Sequence, residues 1–383
     1  MRAAIIGGSI AGCAMAVGLR RLGCEVTVYE RSQGELTGRG LGIGIAGTVL
    51  PTLTDYLGPD LRSSPITQRS WFVPDGSPTG RVALLQPFGV VATNWGVVWR
   101  ALRSKVPDPV YRQRVAVRAV HADGTVVTET GSERYDLVVG ADGYRSIVRG
   151  IVDRSARVEY SGYVLWRGDF PVTEVPAELS TAIITVVYPG GHGLVYRIPE
   201  PAGEGERLNW GLYQALPDRF TDPTSVAPGA LDDDLFAAFQ DTVDRLPRYW
   251  ADLVRRTPRE IVSVQPIYDA DLTHYATERV AVAGDAGCLA RPHTGSGVLK
   301  AIQDAQCLEQ AYRDTGDWPA ALARYDTERT AAGRALVDTG RRLGDALVVH
   351  TPSWPSMTEP EFRAWFDAVH SGSIFTSAGK PTA

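Results

Sequence analysis

Residues 1–31 have the sequence MRAAIIGGSIAGCAMAVGLRRLGCEVTVYER, and this stretch decides the fold. Residues 3–6 form a short apolar run typical of a buried parallel strand, and two glycines end it. Residues 10–22 carry small and apolar side chains at helical spacing, and residues 25–30 return to a strand pattern. The order predicts strand, tight turn, helix and strand, which is a βαβ unit.

The turn of this unit carries part of a dinucleotide-binding fingerprint. Gly7 and Gly12 occupy the first and last glycine positions, Ser9 replaces the middle glycine, and Glu30 ends the second strand. Free N–H groups at the helix start attract a pyrophosphate. A carboxylate at Glu30 suits the ribose hydroxyls of adenosine and repels a 2′-phosphate, which favours NAD or FAD over NADP. The simpler alternative is an ordinary tight βα turn.

Composition narrows the class of protein. The 383 residues suffice for two packed domains or one large one, 44% are hydrophobic, and the net charge of −5 gives no reason to expect nucleic acid. The N-terminal apolar segment belongs to the βαβ unit and not to a signal peptide. The four cysteines show no metal-type spacing. We therefore expect a cytoplasmic protein with no membrane or nucleic-acid partner and no metal.

Two further segments follow strands of the buried type. The strand predicted at 135–140 continues into Ala141-Asp142-Gly143, and the strand at 279–283 continues into Gly284-Asp285-Ala286. A Pro- and Gly-rich loop at 288–297 then leads into a predicted helix. Polar groups at the carboxyl ends of parallel strands commonly face a ligand, so these segments are expected to meet the Gly7 turn.

In this order, the segments 7–12, 141–149 and 284–297 resemble the motifs of the class A FAD-dependent aromatic hydroxylases, the p-hydroxybenzoate hydroxylase superfamily. The Gly-Gly-Ser-Ile turn and the Arg-Pro-His loop look similar to those of the 2,6-dihydroxypyridine hydroxylase-like monooxygenases. Ser9 departs from the family pattern, as does Val298-Leu299, where the family loop often continues to an asparagine.

The resemblance implies an α/β fold with a Rossmann-type FAD-binding domain, an inserted antiparallel β-sheet substrate domain and C-terminal helices. Four alternating, aromatic-rich segments between 158 and 214 independently predict that sheet. The expected ranges are 1–70, 96–157 and 266–350 for the FAD-binding domain, 71–95 and 158–265 for the substrate domain, and 351–383 for a C-terminal extension with a mobile tail.

By the resemblance, Glu30 holds the adenosine ribose of FAD, Asp285 the ribityl chain, Arg100 the phosphates, and Asp142 the pyrophosphate or the nicotinamide cofactor. From the residues alone, Asp285 could cap the next turn, Arg100 could lie on an amphipathic helix surface, and Asp142 could be a plain turn residue. The predicted FAD contacts are Gly7, Ser9, Ile10, Ala11, Gly12, Glu30, Arg31, Arg39, Arg100, Asp142, Asp285, Pro292, Gly295, Ser296, Gly297 and Val298.

The loop from Pro292 to Gly297 carries the expected chemistry. Its glycines bring N–H groups to the pyrimidine edge of the flavin, and the next helix directs its positive end the same way. The resemblance implies that NADH or NADPH reduces FAD and that a C4a-hydroperoxyflavin formed with O2 hydroxylates an aromatic or heteroaromatic small molecule. His293 is the expected base, and Pro292 and Arg167 are the other candidate catalytic residues. Arg167 could instead be a buried ion-pair partner.

The predicted substrate-binding residues are Trp166, Tyr188, His192, Trp210, Tyr213 and His293. Because side chains alternate along a strand, only some of the sheet aromatics can face the flavin. Alternatives within the same fold are a flavin-dependent dehydrogenase or reductase and a halogenase. A halogenase needs a lysine between the flavin and the substrate, and the sequence places Lys300 beyond the flavin loop. The assembly is predicted to be a monomer or a homodimer.

Overall fold

The computed structural model describes residues 1–36, 42–216, 220 and 225–371. Arg39, a predicted FAD contact, and the predicted tail from 372 onwards lie outside these residues.

The described residues form strands and helices along the whole chain. The strands are β1 (Arg2–Ile6), β2 (Glu25–Glu30), β3 (Gly42–Ala46), β4 (Ser64–Val73), β5 (Arg81–Asn94), β6 (Tyr111–Gln113), β7 (Val117–Val120), β8 (Thr125–Thr128), β9 (Gly131–Arg134), β10 (Leu137–Gly140), β11 (Glu159–Val172), β12 (Ala182–Tyr188), β13 (Gly191–Pro199), β14 (Glu206–Ala215), β15 (Ser263–Asp269) and β16 (Val280–Val282). The α-helices are α1 (Ile10–Arg21), α2 (Leu50–Leu57), α3 (Trp95–Arg103), α4 (Arg149–Val152), α5 (Asp233–Val243), α6 (Arg248–Arg255), α7 (Gly297–Thr315), α8 (Trp318–Gly344) and α9 (Glu359–His370).

Sheet A is parallel, with strand order β16-β10-β1-β2-β6. Its strands are short, and β1, β10 and β16 are almost wholly apolar and buried, as is typical of a parallel sheet covered on both faces. Helix α1 packs on α7, and its small residues allow close approach to the sheet. The predicted βαβ unit is β1, α1 and β2, and the carboxyl ends of β1, β10 and β16 carry the three motif segments to one edge.

Sheet B is larger and curled, with order β15-β11-β14-β13-β12-β4-β5-β3. Its neighbouring strands pair antiparallel except that β12 pairs with β4 in parallel, which differs from the predicted antiparallel sheet. Since more than 100 residues separate these two strands, they are not joined by a hairpin that would force antiparallel pairing. The sheet also takes in β3 and the start of β4, before residue 71. The domain ranges stay a prediction.

The two faces of sheet B have different partners. Helices α5 and α6 cover the outer face, where their apolar side chains join a core with Trp166, Trp210 and Trp250. The inner face turns toward sheet A and the C-terminal helices, with Trp71 and Tyr163 packed near α9. The inner face therefore supplies a wall for a site that also contains the sheet A edge.

Among the described residues, no helix is long and apolar enough to cross a membrane. All four cysteines are free thiols.

Candidate active site

One cavity of about 730 Å³ extends from the glycine turn of β1–α1 to the inner face of sheet B. Most of the predicted FAD contacts line it, namely Gly7, Ser9, Ile10, Ala11, Glu30, Arg31, Asp142, Asp285, Pro292, Gly295, Ser296, Gly297 and Val298. Gly12 and Arg100 do not border it. Three segments separated by more than 100 residues along the chain thus meet at one site.

The glycine turn matches the steric roles inferred from the fingerprint. Gly7 has φ +103°, a conformation that residues with a Cβ rarely adopt. A Cβ on Gly12 would lie 1.8 Å from the Gly7 carbonyl oxygen, so α1 could not pack where it does. Ser9 precedes the helix, borders the cavity and forms no side-chain capping bond within the described residues. Its hydroxyl is therefore available to a phosphate.

Glu30 is 5% exposed at the end of β2. Its Oε2 accepts a 2.8 Å hydrogen bond from the Gly8 N–H, and its Oε1 accepts one of 2.8 Å from the Ser32 N–H. Both bonds fix the carboxylate at the cavity wall, and each oxygen keeps a further lone pair for a ribose hydroxyl.

Asp142 organises its own turn. Its two carboxylate oxygens accept hydrogen bonds from the Ser146 hydroxyl (2.6 Å) and the Ile147 N–H (2.8 Å). Burial raises the pKa of Asp142, although these bonds oppose the shift. Asp142 therefore acts as a turn residue, which the sequence had left as one of two roles. Its contact with pyrophosphate or nicotinamide stays a prediction.

Arg149 connects the second and third motif segments. Its guanidinium donates to the backbone oxygens of Asp285 (2.7 Å) and Ala286 (2.9 Å), and also to that of Tyr144 (2.9 Å). Because the side chain is buried, the hydrogen bonds to these carbonyls replace those that the guanidinium would form with water. It fixes the backbone that presents Asp285 to the cavity.

Lys300 is a cavity residue that the sequence reasoning placed elsewhere. Its Nζ lies 2.6 Å from Asp285 Oδ1 and also donates to the Cys288 carbonyl. Burial lowers the pKa of Lys300, but Asp285 together with Cys288 and Asp304 outweighs it and leaves the pKa raised. Lys300 lies one helical turn past Gly297, and it is one of only three lysines in an arginine-rich chain; either signal could have identified it.

The flavin loop forms a short 3-10 turn at Pro292–Thr294, and Gly295 follows in the left-handed region with φ +60°. Helix α7 begins two residues later, and its first N–H groups have no side-chain cap from Ser296. Both Gly297 and Val298 line the cavity, so the positive end of this 19-residue helix is at the site. The arrangement agrees with the expected support for negative charge on a flavin.

His293 lies between the loop and sheet B. Its ring stacks on Tyr213 with centroids 4.3 Å apart, and its Nδ1 is 3.4 Å from the Tyr163 hydroxyl. Nε2 is buried without a hydrogen-bond partner in the part of the chain that the structure describes. Burial, with further effects of His192 and Arg291, lowers the pKa of His293 well below its ordinary value. The ring is therefore neutral and has an unused ring nitrogen at the cavity.

His192 completes the stack. It is the cross-strand partner of Tyr213, and their rings lie 4.5 Å apart at 15°. Burial lowers the pKa of His192 to about 3, with a smaller effect from Arg69. Together His192, Tyr213 and His293 offer flat, uncharged surfaces to an aromatic ligand.

Three of the predicted substrate residues pack against the helices on the outer face of sheet B, and only one of them also borders the cavity. Trp166 and Tyr188 do not border the cavity and lie in the core with α5 and α6. Trp210 borders the cavity, but its ring stacks on Phe239 at 5.5 Å and its Nε1 donates to Thr257 on the outer face. Alternation gives two sets of side chains but not which set faces inward, so the structure places Trp166 and Tyr188 away from the cavity, while a substrate contact of Trp210 stays a prediction.

Two arginines of sheet B reach the cavity. Arg167, a predicted catalytic residue, lines it, and its Nη1 is 3.5 Å from Gln265 Oε1. Arg69, which the sequence reasoning missed, also lines it and is 9% exposed. The sequence signal that could have identified Arg69 is a charged residue inside the strand 64–73, on the same face of the strand as Trp71.

The residues present fit FAD. The long cavity has a glycine cradle that a Cβ would obstruct at one end and the start of α7 near its middle. The buried, unpartnered Nε2 of His293 lies beyond the loop, where a substrate hydroxyl would need a partner.

Comparisons with known proteins agree with this geometry. The family described as pyridine nucleotide-disulphide oxidoreductase matches residues 2–49. A 2,6-dihydroxypyridine 3-monooxygenase of Paenarthrobacter nicotinovorans is 29% identical, over 90% of this chain and 91% of that protein. A 3-amino-4-hydroxybenzoate 2-monooxygenase of Streptomyces cremeus is 28% identical, over 100% and 97%. The solved structure of 2,6-dihydroxypyridine-3-hydroxylase from Arthrobacter nicotinovorans has a TM-score of 0.81 at 26% identity and covers 94% of this chain and 95% of that one.

Fold and site thus define an FAD-dependent oxidoreductase with a Rossmann-type cofactor domain. Over at least 90% of its length the chain is similar to class A FAD-dependent aromatic hydroxylases, of the p-hydroxybenzoate hydroxylase superfamily, which confirms the resemblance seen in the three motifs. FAD is its cofactor, and NAD(P)H is the reductant of the family. The roles of individual residues stay predictions.

Proposed function

We propose that this chain uses NADH or NADPH and O2 to add a hydroxyl group to an aromatic or heteroaromatic small molecule. The observation that carries the proposal is the single cavity that joins the glycine turn, the loop from Pro292 to Gly297 and the stack of His192, Tyr213 and His293. The relatives are named for 2,6-dihydroxypyridine and 3-amino-4-hydroxybenzoate, so single rings with hydroxyl or amino groups are the first candidates.

Each end of the cofactor has candidate partners in this chain. Glu30 would hold the adenosine ribose, and the Ser9 hydroxyl and the start of α1 would bind the pyrophosphate. Asp285, held by Lys300, would accept hydrogen bonds from the ribityl hydroxyls. When bound, FAD supplies the redox chemistry that takes reducing equivalents from NAD(P)H and activates O2. The N–H groups at Gly297 and Val298 would stabilise negative charge at its pyrimidine edge.

His293 is the candidate base for the substrate. Because burial keeps its ring neutral, Nε2 can accept a hydrogen bond, and then the proton, from a ring hydroxyl. Loss of that proton makes the ring more electron-rich and favours attack on an electrophilic oxygen. Tyr213 supports the His293 ring by stacking.

The decisive experiment is anaerobic reduction of the FAD-loaded protein by NAD(P)H with and without candidate rings, followed by admission of air and mass analysis. We expect faster flavin reduction when a substrate is present and a product heavier by one oxygen atom. If no ring gains oxygen, the proposal fails. If a ring reduces the flavin without NAD(P)H, the dehydrogenase alternative replaces it.

We also propose a cytoplasmic monomer or homodimer with no nucleic-acid partner. Four free thiols are typical of a reducing compartment, and the net charge of −5 disfavours a polyanion. Light scattering of the purified protein measures the assembly state.

A further inference from the structure

The carbonyl oxygen of Gly8 accepts hydrogen bonds from three side chains. The Trp99 indole N–H donates to it over 3.0 Å, the Tyr111 hydroxyl over 2.9 Å and the Cys13 thiol over 3.3 Å. Burial raises the pKa of the Cys13 thiol to about 12, so the thiol stays protonated and can donate. Helix α3, strand β6 and helix α1 therefore converge on one oxygen atom. Since a carbonyl oxygen has two lone pairs, three donors exceed what its hydrogen bonding requires.

These hydrogen bonds turn the Gly8 carbonyl away from the cavity. Gly7 and Ser9 border the cavity on either side of Gly8, whereas Gly8 does not. The peptide that joins Gly8 to Ser9 is trans, because the described residues contain no cis bond, so its C=O and N–H groups point in opposite directions. The bonds to the carbonyl oxygen therefore direct the Ser9 N–H toward the cavity, at the helix start where a pyrophosphate binds.

The turn needs this support because two consecutive glycines form it. Glycine adopts many backbone conformations, so the peptide after Gly8 could rotate at little steric cost. A rotated peptide would present its carbonyl oxygen to the pyrophosphate and repel it. The Gly8 N–H is fixed as well, by its 2.8 Å hydrogen bond to Glu30. A Cβ on Gly8 would lie 2.2 Å from the Tyr111 hydroxyl, so the approach of Tyr111 requires glycine at a position that the fingerprint leaves open.

We propose that Trp99 and Tyr111 are positioning residues for FAD, which act through the Gly8 carbonyl on the N–H groups that bind the pyrophosphate. Neither residue borders the cavity, so their effect on the cofactor is indirect. Arg100, the predicted phosphate contact on α3, does not border the cavity either, and α3 instead contributes to cofactor binding through Trp99. The proposal concerns the binding of FAD and holds whether or not the chain hydroxylates an aromatic ring.

The test measures the affinity for FAD without turnover. The FAD-loaded full chain is diluted in the absence of NAD(P)H and substrate, and the flavin fluorescence that appears reports the released cofactor. Trp99→Phe keeps an aromatic ring and removes the N–H donor, and Tyr111→Phe removes only the hydroxyl. Each variant should weaken FAD binding by about fivefold, the equivalent of one hydrogen bond. The double variant should weaken it by about 20-fold or more.

A matched control separates positioning from a general loss of stability. Trp250 is also buried, and its indole N–H donates a 2.9 Å hydrogen bond to the Thr79 carbonyl, in the core on the outer face of sheet B. Trp250→Phe should lower Tm about as much as Trp99→Phe but leave the affinity for FAD within about twofold. Phosphorus NMR of the FAD-loaded protein is the second measurement. The pyrophosphate resonances should shift in Trp99→Phe and stay unchanged in Trp250→Phe.

Wild-type affinity for FAD in both single variants overturns the proposal, and this result does not require the double variant to fold. An equal loss of affinity in Trp250→Phe also overturns it, as do unshifted pyrophosphate resonances in Trp99→Phe. Because the test uses neither O2 nor a substrate, each of these results leaves the proposed function intact. A loss of affinity confined to Trp99→Phe and Tyr111→Phe supports the proposal even if no ring gains oxygen.

Discussion

The ion pair of Lys300 and Asp285 is unequally buried, and this inequality predicts unequal effects of removing each partner. The Lys300 side chain is 3% exposed and that of Asp285 is 52% exposed. Asp285→Asn leaves a buried ammonium with the Cys288 carbonyl, and breaking a buried pair in this way costs about 3–5 kcal/mol. Lys300→Met leaves a carboxylate that water reaches, so its cost should be about 1 kcal/mol, as for an exposed pair.

Thermal unfolding of the FAD-free protein measures the difference without a contribution from lost cofactor contacts. With an unfolding entropy of about 2.1 cal/mol/K per residue over 383 residues, Asp285→Asn should lower Tm by about 4–6 °C and Lys300→Met by about 1 °C. The double variant should recover most of the loss, because no buried charge remains.

The same pair predicts a pH dependence. In the wild type, burial lowers the pKa of Lys300 but Asp285 leaves it raised, so the pair stabilises the fold below the ordinary lysine pKa and the contribution is lost at more alkaline pH. Without Asp285 the pKa of Lys300 falls, and the folded variant sheds its costly proton earlier. The stability gap between wild type and Asp285→Asn should therefore narrow from pH 7 to pH 10. A gap that stays constant, or a Lys300→Met loss equal to that of Asp285→Asn, would refute the reasoning.

Three other perturbations test separate parts of the molecule. Gly284→Ala should lower the free energy of unfolding, measured in urea, by about 2–4 kcal/mol, because Gly284 has φ +61° and a Cβ there would lie 2.6 Å from a side chain of α1. The control Gly297→Ala should leave this free energy nearly unchanged, because a Cβ at Gly297 meets no described atom within 4 Å. Glu30→Gln should weaken FAD binding by about tenfold or more, measured by flavin fluorescence quenching, because a charged acceptor of two backbone N–H groups is lost; unchanged affinity would remove Glu30 from the site. Burial, with a smaller effect of Arg69, lowers the pKa of His370 to about 3, so the unfolded chain takes up a proton below pH 6.5 that the fold does not. His370→Phe should therefore reduce the stability lost between pH 7 and pH 5 by about 2 kcal/mol, and an unchanged loss would contradict this.

Local signals in the sequence predicted the elements that hold the cofactor. Asn94 is of a residue type that favours helix N-caps, and it caps α3 by accepting a 2.7 Å hydrogen bond from the Gly96 N–H. The segments at Gly7, Asp142 and Asp285 meet because parallel strands bring their carboxyl ends to one edge, which is a general rule of such sheets.

The substrate wall was less predictable because it depends on long-range packing. Because side chains alternate along each strand, His192 and Tyr213 lie on one face of sheet B and Trp166 and Trp210 on the other. The position of α5 and α6 then decides which of these two faces borders the cavity. Arg69 lies on a strand whose pairing with β12 spans more than 100 residues, so no local pattern placed it near His293.

Sheet A is completed late in protein synthesis. Strand β16, from Val280, forms the edge beside β10, whose pairing partner Val138 is made some 140 residues earlier. Until β16 leaves the ribosome, β10 presents an unpaired and apolar edge, which is a template for wrong association. A chain truncated before residue 280 should accordingly aggregate and not accumulate as a smaller flavoprotein.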